Sequence, residues 1–363
     1  MSETFTDHFK RAPTVRVSAP GRINLIGEHI DYNGGSVLPI ATPQRAFVEL
    51  APRDDDRVNA FSVELGEEHY RLAHEKRGRG WIDYVQGVTK TLADHGVKGR
   101  GFDLWLHSQV PVGAGLSSSA ALEVALLRGL RELWGLTLTD LELAIFAQRA
   151  ESSFVGANVG IMDQLASSLG NEKTALLIDT ATLKTRPVEL PPDVSLLVID
   201  SGIKHDLVTG DYNKRRQECE AAAAALGVKA LCSLSSEELP RVSRLSAPFA
   251  RRARHAITEN ERVHEAVRAI EAGDVVALGE LINESHDSLR DDFEVSLPAI
   301  DRLVELARAQ PQVLGARLTG GGFGGAVLVL TLSHEPLEQA EHIAQLYARA
   351  TQKVPAVIVP TPR

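Results

Sequence analysis

Short apolar runs come first along the chain, and longer apolar stripes follow. Val15–Ala19, Ser36–Ile40 and Arg45–Leu50 predict three strands, and Trp81–Ala93 predicts a helix. Phe102, Leu104 and Leu106 alternate with polar positions, so Phe102–Ser108 is expected to be a half-buried strand. In Ser117–Trp134 the period lengthens, with Leu122, Leu126, Leu130 and Leu133 on one helical stripe, and Leu141–Ser153 predicts a second helix. Thr174–Asp179 and Val194–Asp200 read as strands joined by a connector that carries Pro187, Pro191 and Pro192. That connector sets the expected division into domains 1–185 and 186–363. Helices are then predicted at Tyr212–Leu226, Phe249–Ala272 and Leu297–Ala309, a strand pair around Gly320–Gly325, and a last strand at Ala356–Val359. Strands and helices mix without a regular βαβ rhythm, which points to two α+β domains rather than a doubly wound sheet.

Composition narrows the function classes. The chain has 363 residues, 44% apolar and 24% charged, and a chain of that size needs no disulfide or metal staple. Its 39 Lys and Arg against 48 Asp and Glu give a formal charge of -9, with no basic stripe, which excludes a protein that grips nucleic acid through its phosphates. Cys219 and Cys232 are the two cysteines, too few for a disulfide framework or a cysteine zinc site. His264-Glu265 begins a zinc-protease pattern, but Arg268 stands where the second histidine should be. Met1–Lys10 is polar and no run reaches 18 apolar residues, so a cytoplasmic protein with no membrane partner is expected. Asn283-Glu284-Ser285 fits a glycosylation sequon, which has no use there.

Three glycine-bearing segments carry the candidate chemistry. Pro111-Val112-Gly113-Ala114-Gly115-Leu116-Ser117-Ser118-Ser119-Ala120 follows a strand and opens a long helix. Its glycines let a backbone approach a ligand, and a helix start offers free N–H groups to an anion. The other reading is a Gly/Ser turn capped by a serine. It is not a Walker A loop, because no Gly-Lys-Ser/Thr follows. Gly320-Gly321-Gly322-Phe323-Gly324-Gly325 is followed by a strand, so it is no dinucleotide loop; it reads as a hairpin turn or as a loop that brings two backbones, or a ligand, close. Ala19–Gly35 gathers Arg22, Glu28, His29 and Asp31 on a loop between strands, suited to a hydroxyl-rich ligand or simply to solvent. These segments hold eleven of the 29 glycines: residues 21, 27, 34, 35, 113, 115, 320, 321, 322, 324 and 325. Ser201-Gly202-Ile203-Lys204 mimics the S-x-x-K of penicillin-binding enzymes, but neither S-D-N nor K-T-G accompanies it.

Taken in order, G-R-I-N-L-I-G-E-H-I-D-Y-N-G-G, P-V-G-A-G-L-S-S-S-A-A, G-I-M-D-Q and L-T-G-G-G-F-G-G resemble the galactokinases of the GHMP kinase superfamily, from residue 19 to 325. The resemblance implies a domain like the second domain of ribosomal protein S5, followed by a ferredoxin-like one. It implies ATP-dependent phosphorylation of D-galactose at its anomeric hydroxyl to α-D-galactose 1-phosphate, with Mg²⁺, by a monomer or weak oligomer. By the same match Asp163 is the catalytic base, with Arg22 beside it. Glu28, His29, Asp31, Gly160 and Tyr212 contact the sugar; Tyr212 lies in D-Y-N-K-R-R-Q-E-C-E, which resembles the family's Y-x-x-R-R-x-x-C-E. Gly113, Ala114, Gly115, Leu116, Ser117, Ser118, Ser119 and Ala120 bind the phosphates, Trp81 lines the adenine pocket, and Ser119 and Glu151 hold Mg²⁺. Ile30 replaces the usual Thr, Asp83 the Asn of W-x-N-Y, Val159 and Ala326 two cysteines. Other expectations are a related sugar-1-kinase acting on N-acetylgalactosamine, arabinose or galacturonate, a galactose-sensing regulator without catalysis, or a kinase of isoprenoid or amino-acid alcohols.

Overall fold

A computed structural model describes residues 3–203 and 208–358. In chain order its elements are α1 (Phe5–Phe9), β1 (Val15–Asn24), β2 (Ser36–Val37), β3 (Pro39–Pro52), β4 (Arg57–Ser62), β5 (Gly66–Arg71), α2 (Ile82–Asp94), β6 (Phe102–Ser108), α3 (Ser118–Trp134), α4 (Asp140–Ala150) and α5 (Met162–Leu169). Then follow β7 (Thr174–Asp179), β8 (Lys184–Glu189), β9 (Ser195–Asp200), α6 (Val208–Leu226), α7 (Leu239–Val242), α8 (Phe249–Ala272), α9 (Val275–Asp291), α10 (Pro298–Arg308), β10 (Val313–Thr319), β11 (Ala326–Thr331), α11 (Pro336–Thr351) and β12 (Ala356–Ile358). The expected last strand thus begins at Ala356, and its Val359 lies outside the described residues.

The described chain forms two compact units. The first comprises the residues up to Arg22, Pro43–Val112 and Ser117–Leu169; the second comprises Ile23–Thr42, Gly113–Leu116 and the residues from Gly170 onward. The expected division into 1–185 and 186–363 treats each half as one continuous stretch, and the units interleave instead. The reason is pairing: β2 joins β7 as an antiparallel neighbour, which draws the segment after Arg22 into the second unit. Pro187, expected in a connector, lies on β8 and pairs with Leu176 of β7. β8 is the edge strand of the β2-β7-β8 sheet, where a missing N–H is tolerated.

In the first unit the sheet order is β1-β3-β6-β4-β5, with β4 parallel to β6 and β3 antiparallel to it. Helix α3 lies close on this sheet because Gly129 has no side chain: a Cβ there would stand 2.7 Å from Leu50 Cδ1. Apolar Val124, Leu126, Leu127 and Leu130 of α3 are fully buried or nearly so. In the second unit the antiparallel order β10-β11-β9-β12, with α9 and α10 against β10 and α11 against β9, matches the ferredoxin-like expectation. Here α9 and β10 meet backbone to backbone; a Cβ on Gly315 would lie 2.4 Å from the Gly279 carbonyl oxygen.

Candidate active site

Arg22 sits on β1, so the first motif begins in a strand and only its later part is loop. The strand buries Arg22 to 4% exposure and aims its guanidinium at Asp163, with Nε–Oδ1 at 2.8 Å and Nη2–Oδ2 at 2.7 Å. Two parallel N–H···O bonds fix the carboxylate plane as well as its place. Asp163 is in the first turn of α5, where the helix dipole favours negative charge. A third donor is Ser117, whose hydroxyl binds Asp163 Oδ2. That contact occupies the side chain that the turn reading would use as a cap. Ser117 occupies the N-cap position of α3 in the left-handed region (φ 61°, ψ 51°) and its side chain caps nothing. The first-turn N–H groups of Ser118, Ser119 and Ala120 are therefore not covered by a capping hydroxyl. Gly113 and Gly115 also have positive φ, 81° and 76°, and only glycine enters that region without strain. The side chains of Ala114 and Leu116 are buried, so this stretch presents backbone outward.

Helix α4 ends in one π-helical turn, Glu151–Val155, closed by Gly156 at φ 91°. The turn is wider than an α turn, and Gly87 of α2 makes room for it: a Cβ there would be 3.1 Å from the Ala150 carbonyl oxygen. Irregular turns of this kind often mark functional positions. Glu151 is held inward by Gln164 Nε2 at 2.8 Å and by the Ser119 hydroxyl. Burial, with the Asp163 charge adding to it, raises its pKa to about 7. Glu123, one helical turn beyond Ser119 on α3, has no exposure and faces Glu151 and Gln164; Gln164 Oε1 is buried without a hydrogen-bond partner. Burial and the neighbouring Glu151 push the Glu123 carboxyl well above the usual range. Oxygen ligands from a hydroxyl and carboxylates, with a buried oxygen left unsatisfied, fit a hard divalent cation such as Mg²⁺. Ser119 and Glu151 could hold it. Trp81 precedes α2, and its indole N–H is buried without a partner. Gly160 is buried just before α5.

The second unit carries the rest of the first motif, fastened by a polar stripe on α8. His255 Nε2 donates to the Glu28 carbonyl at 3.0 Å, Glu259 Oε1 accepts the Gly27 N–H at 2.9 Å, and Asn260 Oδ1 accepts the Ser36 N–H at 2.8 Å. Glu259 also takes the Ser285 hydroxyl at 2.7 Å and pairs with Arg262 at 2.9 Å. Burial alone would raise its pKa, but Arg262 and the other cations bring it down to about 2. Glu259→Ala strips a fully buried site of its anion and leaves these donors unpaired. It is expected to cost about 3–5 kcal/mol, read as a fall in the denaturant midpoint at constant m.

Glu28 is 2% exposed and Asp31 partly exposed, with Oδ1 taking the Tyr32 N–H at 3.0 Å. His29, expected to contact the sugar, has its ring held by the protein. It adopts φ 61°, and both ring nitrogens have protein partners: Gly321 O at 3.1 Å and Tyr32 Oη at 2.8 Å. Burial, with the His255 charge adding to it, lowers its pKa to about 3, so the ring is neutral. Because a carbonyl only accepts, Nε2 carries the proton and Nδ1 accepts from Tyr32. Tyr212, on α6, packs its ring against His29 at 5.1 Å and edge-on to Tyr32 at 5.7 Å.

The glycine run is a β10–β11 hairpin, with Thr319 paired to Ala326, and it is also a place of close approach. A Cβ on Gly320 would be 3.0 Å from Gly115 Cα, and one on Gly322 would be 2.6 Å from Val295 Cβ. Both alternatives raised by the sequence hold together.

Similarity to known proteins bears directly on this arrangement. A family model for the GHMP kinases N terminal domain matches residues 83–171, the galactokinase galactose-binding signature matches 3–52, and GHMP kinases C terminal matches 266–349. Galactokinase of Pasteurella multocida is 43% identical over 354 residues, covering 95% of this chain and 91% of that protein. Galactokinase of Haemophilus influenzae is 44% identical over 359 residues, covering 96% and 93%. The chain belongs to the galactokinase family. A Lactococcus lactis galactokinase solved in complex with galactose superposes with a TM-score of 0.93 at 34% identity, over 99% of this chain and 96% of that one. Methanococcus jannaschii mevalonate kinase, at 17% identity and a TM-score of 0.68 over 96% and 98%, shares the fold.

Within the galactokinase family the departures in this chain fall on packing and on a loop. Ile30 is fully buried, with Cδ1 2.8 Å from where a Gly35 Cβ would be, so it supports the loop from beneath. Asp83 accepts from Gly78 N at 2.6 Å and Arg79 N at 3.1 Å, which straps the loop before Trp81 to α2. Several residues that build this galactokinase-type site lay outside the sequence expectation: Glu123, Gln164, His255, Glu259 and Arg317. Glu123 had a signal, a lone acid inside the apolar run of α3. His255 and Glu259 had one too, as an i, i+4 polar pair on a buried helix face.

Proposed function

We propose that this chain transfers the terminal phosphoryl group of ATP to the anomeric hydroxyl of D-galactose. The carrying observation is the match over 99% of the chain to a galactokinase solved with galactose, at 34% identity. The Arg22–Asp163–Ser117 arrangement is what such a reaction needs at its acceptor. Phosphoryl transfer asks a protein mainly for positioning and for charge stabilisation. Asp163 accepts the proton of the attacking hydroxyl late in the transfer, when a loose transition state has already developed. Arg22 keeps that carboxylate in plane, and its positive charge favours the equatorial oxygens of the phosphoryl group in flight. The backbone N–H groups of the Gly113–Ala120 stretch hold the phosphates, and Trp81 lines the base. Ser119 and Glu151 would hold Mg²⁺, which when bound neutralises the phosphate charge.

In the second unit Glu28 and Asp31 take sugar hydroxyls, Tyr212 backs them, and His29 holds the loop in shape. Asp31→Ala is accordingly expected to weaken galactose binding by about tenfold or more, the worth of a hydrogen bond to a charged group, while ATP binding changes little. Calorimetry with each ligand checks this, and equal losses for both would contradict the assignment. No helix among the described residues is long and apolar enough to cross a membrane. The proposed setting is the cytoplasm, where ATP is available. A panel of galactose, N-acetylgalactosamine, glucose and mevalonate with coupled ADP detection tests the activity; failure to turn over galactose overturns it.

A further inference from the structure

Glu28 is an unusual candidate ligand, because one of its oxygens is already saturated. Oε1 accepts the Gly320 N–H at 2.7 Å and the Thr319 hydroxyl at 3.1 Å, and lies 3.3 Å from Arg317 Nη2. Oε2 takes no hydrogen bond from any described residue. Arg317 is fully buried on β10 and is itself anchored, its Nη1 donating to the carbonyls of Asn24 at 3.2 Å and Leu25 at 2.8 Å. Its Nε and Nη2 make no hydrogen bond, and its ion pair among the described residues is with Glu28. The Thr319 hydroxyl is also within reach of the Asn24 carbonyl, at 3.2 Å. The Gly320 N–H and the Thr319 hydroxyl thus meet on one oxygen, with the Arg317 charge 3.3 Å away, four residues beyond the end of β1.

We infer that Arg317 and Thr319 are positioning residues that lock Glu28 Oε1, so that Oε2 is presented as a fixed single acceptor for one hydroxyl of the sugar. The inference rests on Glu28 being a sugar ligand, as proposed above. The physical case has two parts. A carboxylate free to turn loses orientational freedom when a ligand binds, and one already pinned does not. A carboxylate with one oxygen saturated also discriminates more sharply. A ligand without an O–H at that place leaves a buried anionic oxygen with no donor, and a site built around a hydrogen bond rejects such analogues far more strongly than an apolar pocket rejects a missing methylene. The lock therefore acts on sugar affinity and selectivity and leaves nucleotide binding alone.

Thr319→Val keeps the shape of the side chain and removes the hydroxyl; Thr319→Ser keeps the hydroxyl. Galactose binding by calorimetry, and KM for galactose and for ATP, are measured for both and for the parent. The lock is expected to show as galactose binding weakened about tenfold in Thr319→Val, restored to within about threefold in Thr319→Ser, with KM for ATP unchanged in both. Galactose affinity within twofold of the parent in Thr319→Val, or a parallel rise in KM for ATP, overturns the lock. A parent that binds no galactose overturns the proposed function itself, so the two failures are told apart. The arginine is read by melting: Arg317→Met is expected to melt lower than Arg317→Met combined with Glu28→Gln, because the double variant leaves no buried charge unanswered. Additive losses would contradict the coupling.

Discussion

Asp163→Asn is expected to lower kcat by about 10²–10⁴ while the protein keeps its fold. Asparagine has nearly the same shape and its amide oxygen can still accept one bond from Arg22. Its NH₂ group then faces the second guanidinium N–H or the Ser117 hydroxyl, donors that meet Asp163 in the parent. The variant can neither take a proton nor hold both Arg22 bonds, so chemistry suffers while burial hardly changes; the Asp163 side chain is a quarter exposed. KM for ATP should stay within a few fold, since the residue is not assigned to the nucleotide. Single-turnover kinetics with saturating galactose and ATP gives the number. Turnover near that of the parent, in a variant with the parent's circular dichroism, would remove Asp163 from both a proton-accepting and an orienting role.

Glu151→Gln is expected to cost at least about 10² in kcat and to make the metal-free protein more stable at neutral and alkaline pH. The two effects have one origin. Glu151 is fully buried beside Glu123, and its pKa is raised from the usual 4.5 to about 7. A carboxyl raised in the folded state contributes fully below its unfolded value, and that contribution is lost as pH rises through the folded value. The metal-free parent therefore loses stability from about pH 5 to above pH 7, and glutamine at 151 removes that loss. His29 and His255, lowered by burial to about 3 and about 4, act in the opposite sense, giving stability that is lost as pH falls below about 6.5. The comparison is therefore made between parent and variant at each pH, where the histidines cancel. The gap in Tm should open above pH 6 and reach about 2–4 °C for each kcal/mol recovered. A gap that does not change with pH would show that Glu151 ionises freely. A stability held below its maximum at a residue proposed to hold the metal is a common exchange in enzymes.

Much of the fold could be read from periodicity. The strands Phe102–Ser108 and Thr174–Asp179 and the helix Phe249–Ala272 are as the pattern predicts, because their alternation or stripe is strong and their ends are punctuated. Gly273, at φ 70°, closes the last of these, and Asp274 caps α9 at once, so two helices meet without the loop that would have announced the second. The buried face of α11 is Ala340, Ile343, Ala344 and Tyr347, a helical spacing made weak by two alanines. The predicted helix at Leu141–Ser153 is an α-helix with a π turn, a change of width that no apolar pattern records. At the site, the motifs supplied the residues proposed to touch substrates and the structure supplied those that hold them. His255 and Glu259 act on loop residues 227 and 232 positions away, and Arg317 reaches Leu25 across 292. Such partners follow from how the chain is folded: the i, i+4 spacing of His255 and Glu259 is visible along it, but not which distant loop they hold.

The most direct test of the whole account is the phosphorus NMR spectrum of the product formed from galactose and Mg·ATP by the purified chain. One new sugar phosphate is expected, coupled to the anomeric proton of the α anomer and formed in step with ADP. ADP without a sugar phosphate, or a phosphate on any other carbon of the ring, would contradict it.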